Sequence, residues 1–183
     1  ASRSAGRVIV VEGYMDVIAL AQAGIHECVA PLGTALTEHQ IERLWKMADV
    51  PILCFDGDNA GQKAADRAAL RALPLLQPDH SLNFVTLPGG MDPDDLVKAK
   101  GAAGFEACIN SSLPLVEQIW RLERSAGPVD TPEARAGLQQ RLAEHVQVVP
   151  NELVRREYER AFKNRFWDEF GWKKQELQTI RGF

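Results

Sequence analysis

The sequence predicts an α/β fold, a mostly parallel four-stranded sheet flanked by helices and followed by an all-helical subdomain. Three observations carry this. Short, continuously apolar or β-branched runs recur at Arg7 to Val11, His26 to Ala30, Val50 to Phe55 and Leu82 to Leu87, and each leads into a helical pattern. Two of those four runs are followed at once by acidic residues, and a third by an acidic run after the turn Pro88-Gly89-Gly90. From Ala102 onward the chain shows helical periodicity only. Successive βα units of this length close as a parallel sheet, and the helical remainder docks behind it.

Arg7-Val-Ile-Val-Val11 is a β-branched strand that ends at Glu12-Gly13. Tyr14 to Ala23 is helical and stops at Gly24, a residue suited to the position after a helix. His26 to Ala30 is the second strand, and Pro31-Leu32-Gly33-Thr34 turns the chain. Thr37 with Gln40 three residues later forms a capping box for a helix to about Met47. Val50 to Phe55, opened by Pro51, is a buried strand that runs into Asp56-Gly57-Asp58. Asp58 or Asn59 caps the next helix, with Gln62 placed to complete a box, and Pro74 ends it. Leu82 to Leu87 closes with Pro88-Gly89-Gly90, after which Asp92-Pro93-Asp94-Asp95 opens a helix expected to stop at Gly101. Pro114 to Ser125, Thr131 to about Val148 and Asn151 to Phe170 read as three further helices.

The expected organisation is a linker or expression scar over 1–6, an α/β domain over 7–112 and a helical subdomain over 113–183. Within the latter, Ser125 to Thr131 with Gly127-Pro128 is the natural break. Composition is that of an ordinary globular protein, 45% hydrophobic and 25% charged, with no apolar run near the length of a membrane span. Cys28, Cys54 and Cys108 are odd in number and far apart, which fits neither a disulfide framework nor zinc-ligand spacing and points to a reducing, cytoplasmic setting. The first residue is Ala1 and no signal peptide follows, so the chain is expected to be a fragment or a processed product. A net charge of −4 argues against a free-standing nucleic-acid binder, although acids kept for a metal would also lower it.

Three βα turns therefore present acids at one edge of one sheet: Glu12 with Asp16, Asp56 with Asp58, and Asp92 with Asp94 and Asp95. Ligands bind at that edge in open α/β sheets. Close carboxylates repel, and a hard cation such as Mg²⁺ relieves them, held by one or two carboxylates plus phosphate and water. A metal there would clamp phosphates during phosphoryl or nucleotidyl transfer, while Glu12 can act as general base instead of ligand. Helix capping competes for the same side chains, Asp92 above all, because Asp followed by Pro and further acids is also ordinary helix-start chemistry. The chain has neither a Gly-x-Ser-x-Gly elbow nor a Walker-type Gly-Lys-Ser/Thr loop.

Glu12-Gly13-Tyr14-Met15-Asp16, Gly33-Thr34, Phe55-Asp56-Gly57-Asp58-Asn59-Ala60-Gly61 and Asp92-Pro93-Asp94 together resemble a TOPRIM domain, a Rossmann-like fold, and more closely the TOPRIM domain of bacterial DnaG-type DNA primases. The resemblance is strong over Val8 to Lys100 and weak beyond. It implies that Glu12, Asp16, Asp56, Asp58, Asp92 and Asp94 bind Mg²⁺, with Mn²⁺ as substitute, and that Glu12, Asp56 and Asp58 are catalytic. The implied reaction is metal-dependent synthesis of short RNA primers from ribonucleoside triphosphates on a single-stranded DNA template at the bacterial replication fork. A zinc site is then expected only in an amino-terminal module that this chain lacks. Replicative helicase and single-stranded-DNA-binding protein are expected to bind through absent regions, no membrane is involved, and the fragment alone is expected to be weak or inactive. The alternatives are another TOPRIM enzyme, a topoisomerase or nuclease, or a non-catalytic binding module. A topoisomerase needs a nucleophilic tyrosine, for which neither Tyr14, locked in the first motif, nor Tyr158 is suited. A haloacid-dehalogenase-like phosphatase would carry its Asp-x-Asp after the first strand.

Other groups are weighed on spacing alone. Lys63, Arg67 and Arg71 recur along one helix, a solvated face by default, with Lys63 the best placed for phosphate. Gly33 and Thr34 can offer backbone N–H groups to phosphate, or simply turn the chain. Tyr158, Phe162, Phe166 and Phe170 recur every four residues among basic residues; a buried stripe is the expected role, nucleotide stacking the alternative. His26, His39, His80 and His145 show no ligand spacing.

Overall fold

The fold is taken from a computed structural model, which describes residues 6–31 and 35–171. Strand β1 (Ile9–Val10) leads to α1 (Tyr14–Gln22), β2 (Cys28–Val29) to α2 (Glu38–Trp45), β3 (Ile52–Phe55) to α3 (Asn59–Ala72), and β4 (Asn83–Thr86) to α4 (Pro93–Asn110). Then come β5 (Leu113–Pro114), α5 (Leu115–Ser125), α6 (Pro132–Gln147) and α7 (Glu152–Phe170). The sheet order is β2-β1-β3-β4-β5, parallel throughout except that β5 pairs antiparallel with β4, Phe84 opposite Leu113.

The sheet thus has five strands where four were expected. The fifth is two residues long and contains Pro114, so it shows no alternation to read, and Pro is tolerated only because the strand is at an edge. Gly101 does break the helical run, with φ 66, but helix resumes and continues to Asn110. Asp58 caps α3 by accepting the Gly61 N–H at 2.7 Å. Gln62 does not complete a box there; its amide faces Asp66. The Thr37/Gln40 box forms as read, with the Thr37 N–H donating to Gln40 Oε1 at 2.8 Å.

Strand alternation sorts the core into two layers. Val8, Val10, Leu53 and Phe84 pack with α2 and α3, whereas Ile9, Val11, Cys54 and Val85 pack with residues of α1 and α4 such as Leu20, Leu96 and Phe105. The first layer runs on without a break into the helical region through Leu115, Ile119, Trp120, Leu138, Leu142 and Phe162. The expected line between 112 and 113 therefore passes through one continuous core. The Leu115 N–H donates to Leu82 O at 3.0 Å, and Gln118 Nε2 to Asp66 at 2.8 Å, which fastens α5 to the sheet and to α3. Phe162 is buried and Tyr158, Phe166 and Phe170 pack against the same core, the stripe arrangement rather than a stacking platform. Among the described residues no helix is long and apolar enough to cross a membrane.

Candidate active site

Parallel pairing places the carboxyl ends of β1, β3 and β4 side by side, so the turns that follow them share one edge. The β3 and β4 turns are also pinned together, since Gly57 N–H donates to Met91 O at 3.0 Å. A Cβ on Gly57 would lie 2.2 Å from Leu87 O, and one on Gly61 would lie 2.2 Å from Asp56 O. Both glycines are steric requirements of the Asp56-Gly57-Asp58-Asn59-Ala60-Gly61 turn: one admits the neighbouring strand end, the other lets α3 start directly beneath Asp56.

Around this edge the six acids act on one another. Glu12 Oε1 accepts the Asp56 N–H at 3.3 Å. The Asp56 carboxyl is pushed up to about 6, first by burial and then by Glu12, Asp16, Asp92 and Asp58. Its Oδ1 is buried and has no hydrogen-bond partner. Asp16 is also raised, by burial first, against a lowering from the Gly13 N–H it accepts at 3.0 Å, with Asp92, Glu12 and Asp94 adding to the rise. A buried carboxylate oxygen without a donor, inside a field of like charge, is the observation a bound cation would account for.

The capping alternative holds at the same time for three of them. Asp16 accepts from Gly13, Asp58 from Gly61, and Asp92 Oδ1 accepts the Asp95 N–H at 2.7 Å. Asp94 reaches Lys98 at 2.5 Å on the surface. Capping uses one oxygen and leaves the other lone pairs of each carboxylate for a second partner. Among the described residues no three His, Cys, Asp or Glu side chains are grouped so that they could hold a metal ion by themselves. Mg²⁺ needs no such group, since it keeps several waters and takes phosphate oxygens. The all-oxygen donor set and the orphaned Asp56 Oδ1 are of the chemistry a hard divalent ion takes.

The remaining expectations divide. Lys63 and Arg67 are exposed, as a solvated face requires, and Arg71 is half-buried; Arg67 and Arg71 also line a cavity with Glu12. Gly33 and Thr34 lie outside the described residues. Tyr14 stands 67% exposed at the start of α1. Spacing along α3 foretold that Arg67 and Arg71 share a face with Lys63; it carried no signal that Arg71 reaches the Leu36 carbonyl.

Comparison with known proteins bears on this geometry. The family described as Toprim domain matches residues 6–86, and that described as DnaB-helicase binding domain of primase matches residues 108–166. The DNA primase of Rickettsia prowazekii is 42% identical over 94% of this chain. The chain belongs to the DnaG-type primase family. It spans 29% of that curated relative's length. The E. coli primase catalytic core superposes with a TM-score of 0.80 at 39% identity, over 88% of this chain and 51% of the other. A DnaG primase catalytic domain bound to single-stranded DNA matches equally, TM-score 0.80 and 39% identity over 87% and 51%. The helicase was expected to bind through regions absent from this chain; the match to the DnaB-helicase binding domain of primase instead falls on its helical region, residues 108–166.

Proposed function

We propose that this chain is the catalytic-core segment of a DNA primase, a nucleotidyltransferase that builds short RNA primers on single-stranded DNA from ribonucleoside triphosphates. The observation that supports this best is Asp56 Oδ1, buried, unpartnered and surrounded by Glu12, Asp16, Asp58 and Asp92. In this reading Asp56, Asp58, Glu12 and Asp92 hold Mg²⁺ or Mn²⁺ with Asp16 and Asp94 at the periphery. When bound, the ion supplies charge neutralisation for the phosphates of the incoming nucleotide and for the attacking and leaving oxygens. Glu12 orients Asp56 by accepting its amide, and caps at Gly61 and Asp95 hold Asp58 and Asp92 in place. Rigid placement of this kind lowers the reorganisation that the reaction would otherwise require.

Because the chain spans 29% of its relative's length, template tracking is assigned to other parts of the polypeptide, and the isolated 183 residues are expected to make little primer. The replicative helicase is a partner, with part of its contact on the helical region matched over 108–166. Single-stranded-DNA-binding protein and a cytoplasmic location rest on the family resemblance alone. Calorimetric titration of Mn²⁺ with a ribonucleoside triphosphate tests the reading. Metal-dependent nucleotide binding in the wild type that disappears in Asp56→Ala is the expected result; equal binding by both would overturn it.

A further inference from the structure

The helix α3 carries two arginines, Arg67 and Arg71, that the acidic site does not use. Both line a cavity of about 270 Å³ bordered by α3, the ends of β1 and β3, and Pro31, Ala35 and Leu36. Its walls are largely apolar, with Val10, Leu36, Phe55 and Ala64 among them, and Glu12 stands at its sheet-edge end. Arg71 donates to the Leu36 carbonyl at 2.5 Å. Neither arginine meets a carboxylate among the described residues, whereas Arg7, Arg124, Arg141 and Arg165 each do. Like charges four residues apart on a helix repel modestly where, as here, Arg67 is exposed and Arg71 half-buried.

A guanidinium has donors and no acceptor, so its ligand must present acceptors alone, and its planar fork matches phosphate oxygens in pairs. The cavity is not lined by Asp16, Asp56, Asp58, Asp92 or Asp94, although Glu12 borders it. Strand alternation sets Glu12 on the side of Val8 and Val10, whereas Asp56 follows Cys54 toward α1 and α4. Glu12 is the one acid of the cluster among the residues lining the cavity.

We propose that Arg67 and Arg71 form an anion seat that takes the diphosphate or triphosphate portion of a ligand, next to the acidic cluster and independent of its metal. Naming phosphate as the anion rests on the nucleotidyl reading; the seat itself does not. Inorganic tripolyphosphate titrated into the 183-residue chain in EDTA, followed by calorimetry, tests it without any metal. Saturable binding is expected, weakened on the order of tenfold by Arg67→Gln, the loss of one charge-assisted contact. Arg71→Gln should act alike, with Arg71→Lys as the variant that keeps a donor for Leu36 should the first fail to fold. Lys63→Gln should bind as the wild type does. Absence of saturable binding, or an equal loss in Lys63→Gln, would overturn the seat. Failure of the metal reading would look different, with triphosphate binding in EDTA intact and no gain on adding Mg²⁺.

Discussion

The main-chain N–H of Asp56 donates to Glu12 Oε1 at 3.3 Å, which ties the end of β3 to the end of β1 through an acid rather than through the ladder. Glu12 is thereby held against Asp56, whose own Oδ1 is buried with no donor to meet it. The contact that orders the site also keeps two negative charges together, and the consequences can be measured.

The first concerns pH. The folded chain holds the Asp56 proton more tightly than the unfolded chain does, its carboxyl lying at about 6 against an ordinary 3.8. The associated stability is fully present below about pH 4, is lost as pH rises toward 6, and is level above that. Asp56→Asn removes the repulsion, so at pH 7 without metal it should stabilise the fold by ~1 kcal/mol after discounting for solvent screening of a half-exposed group. That gain should vanish below about pH 4. Urea melts of both proteins across this range check it, and a pH-independent difference would contradict the assignment.

Cation binding should reverse that order. An ion that binds only the folded chain raises its melting temperature with concentration. Mg²⁺ or Mn²⁺ at pH 7 should raise the wild-type melting point by a few degrees, the equivalent of about 1 kcal/mol in a domain of this size. Asp56→Asn should respond weakly. A melting point indifferent to either ion in the wild type would remove the metal from the site.

Gly57 tests the turn rather than the charge. Its substitution by Ala sets a Cβ against the Leu87 carbonyl, a backbone atom that cannot swing aside, and should cost ~2–4 kcal/mol by forcing the β3 and β4 ends apart. Asn59→Ala, one residue past the Asp58 cap and exposed, should cost little. Thermal melts of the pair separate a steric requirement at Gly57 from a general sensitivity of the turn.

How much of this was legible in the chain depends on period and range. The strands β1, β3 and β4 and the caps at Thr37, Asp58 and Asp92 are local patterns, and the residues that spell them also make the contacts. The mutual influence of Glu12, Asp16, Asp56 and Asp92 could be read because parallel pairing must bring successive strand ends to one edge. The two-residue β5 could not, having no alternation to detect. Nor could the position of Arg67 and Arg71, which depends on which side of α3 meets the loop ahead of α2. His145, without any ligand spacing, was unreadable for the same reason: its partner Glu123 is 22 residues away on another helix.

That partnership carries the last prediction. Glu123 on α5 is 8% exposed and is met from α6 by Arg141 Nε and by His145 Nε2, each at 2.6 Å. Arg141 also donates to the Glu123 carbonyl at 3.1 Å, so side chain and backbone are held by one residue. Removing one member of a nearly buried ion pair leaves the others short of a partner, a loss larger than the pair's own net worth. Arg141 is itself 38% exposed at its side chain and can turn to water, which limits the penalty. Glu123→Ala should therefore cost ~2–3 kcal/mol, Glu123→Gln rather less because its amide oxygen still accepts from Arg141. Because α5, α6 and the sheet share one hydrophobic layer, the loss should appear as a lower midpoint of one cooperative transition. A separate early transition, with the α/β part melting at its original temperature, would show that the helical region folds on its own and that the continuous core does not couple them.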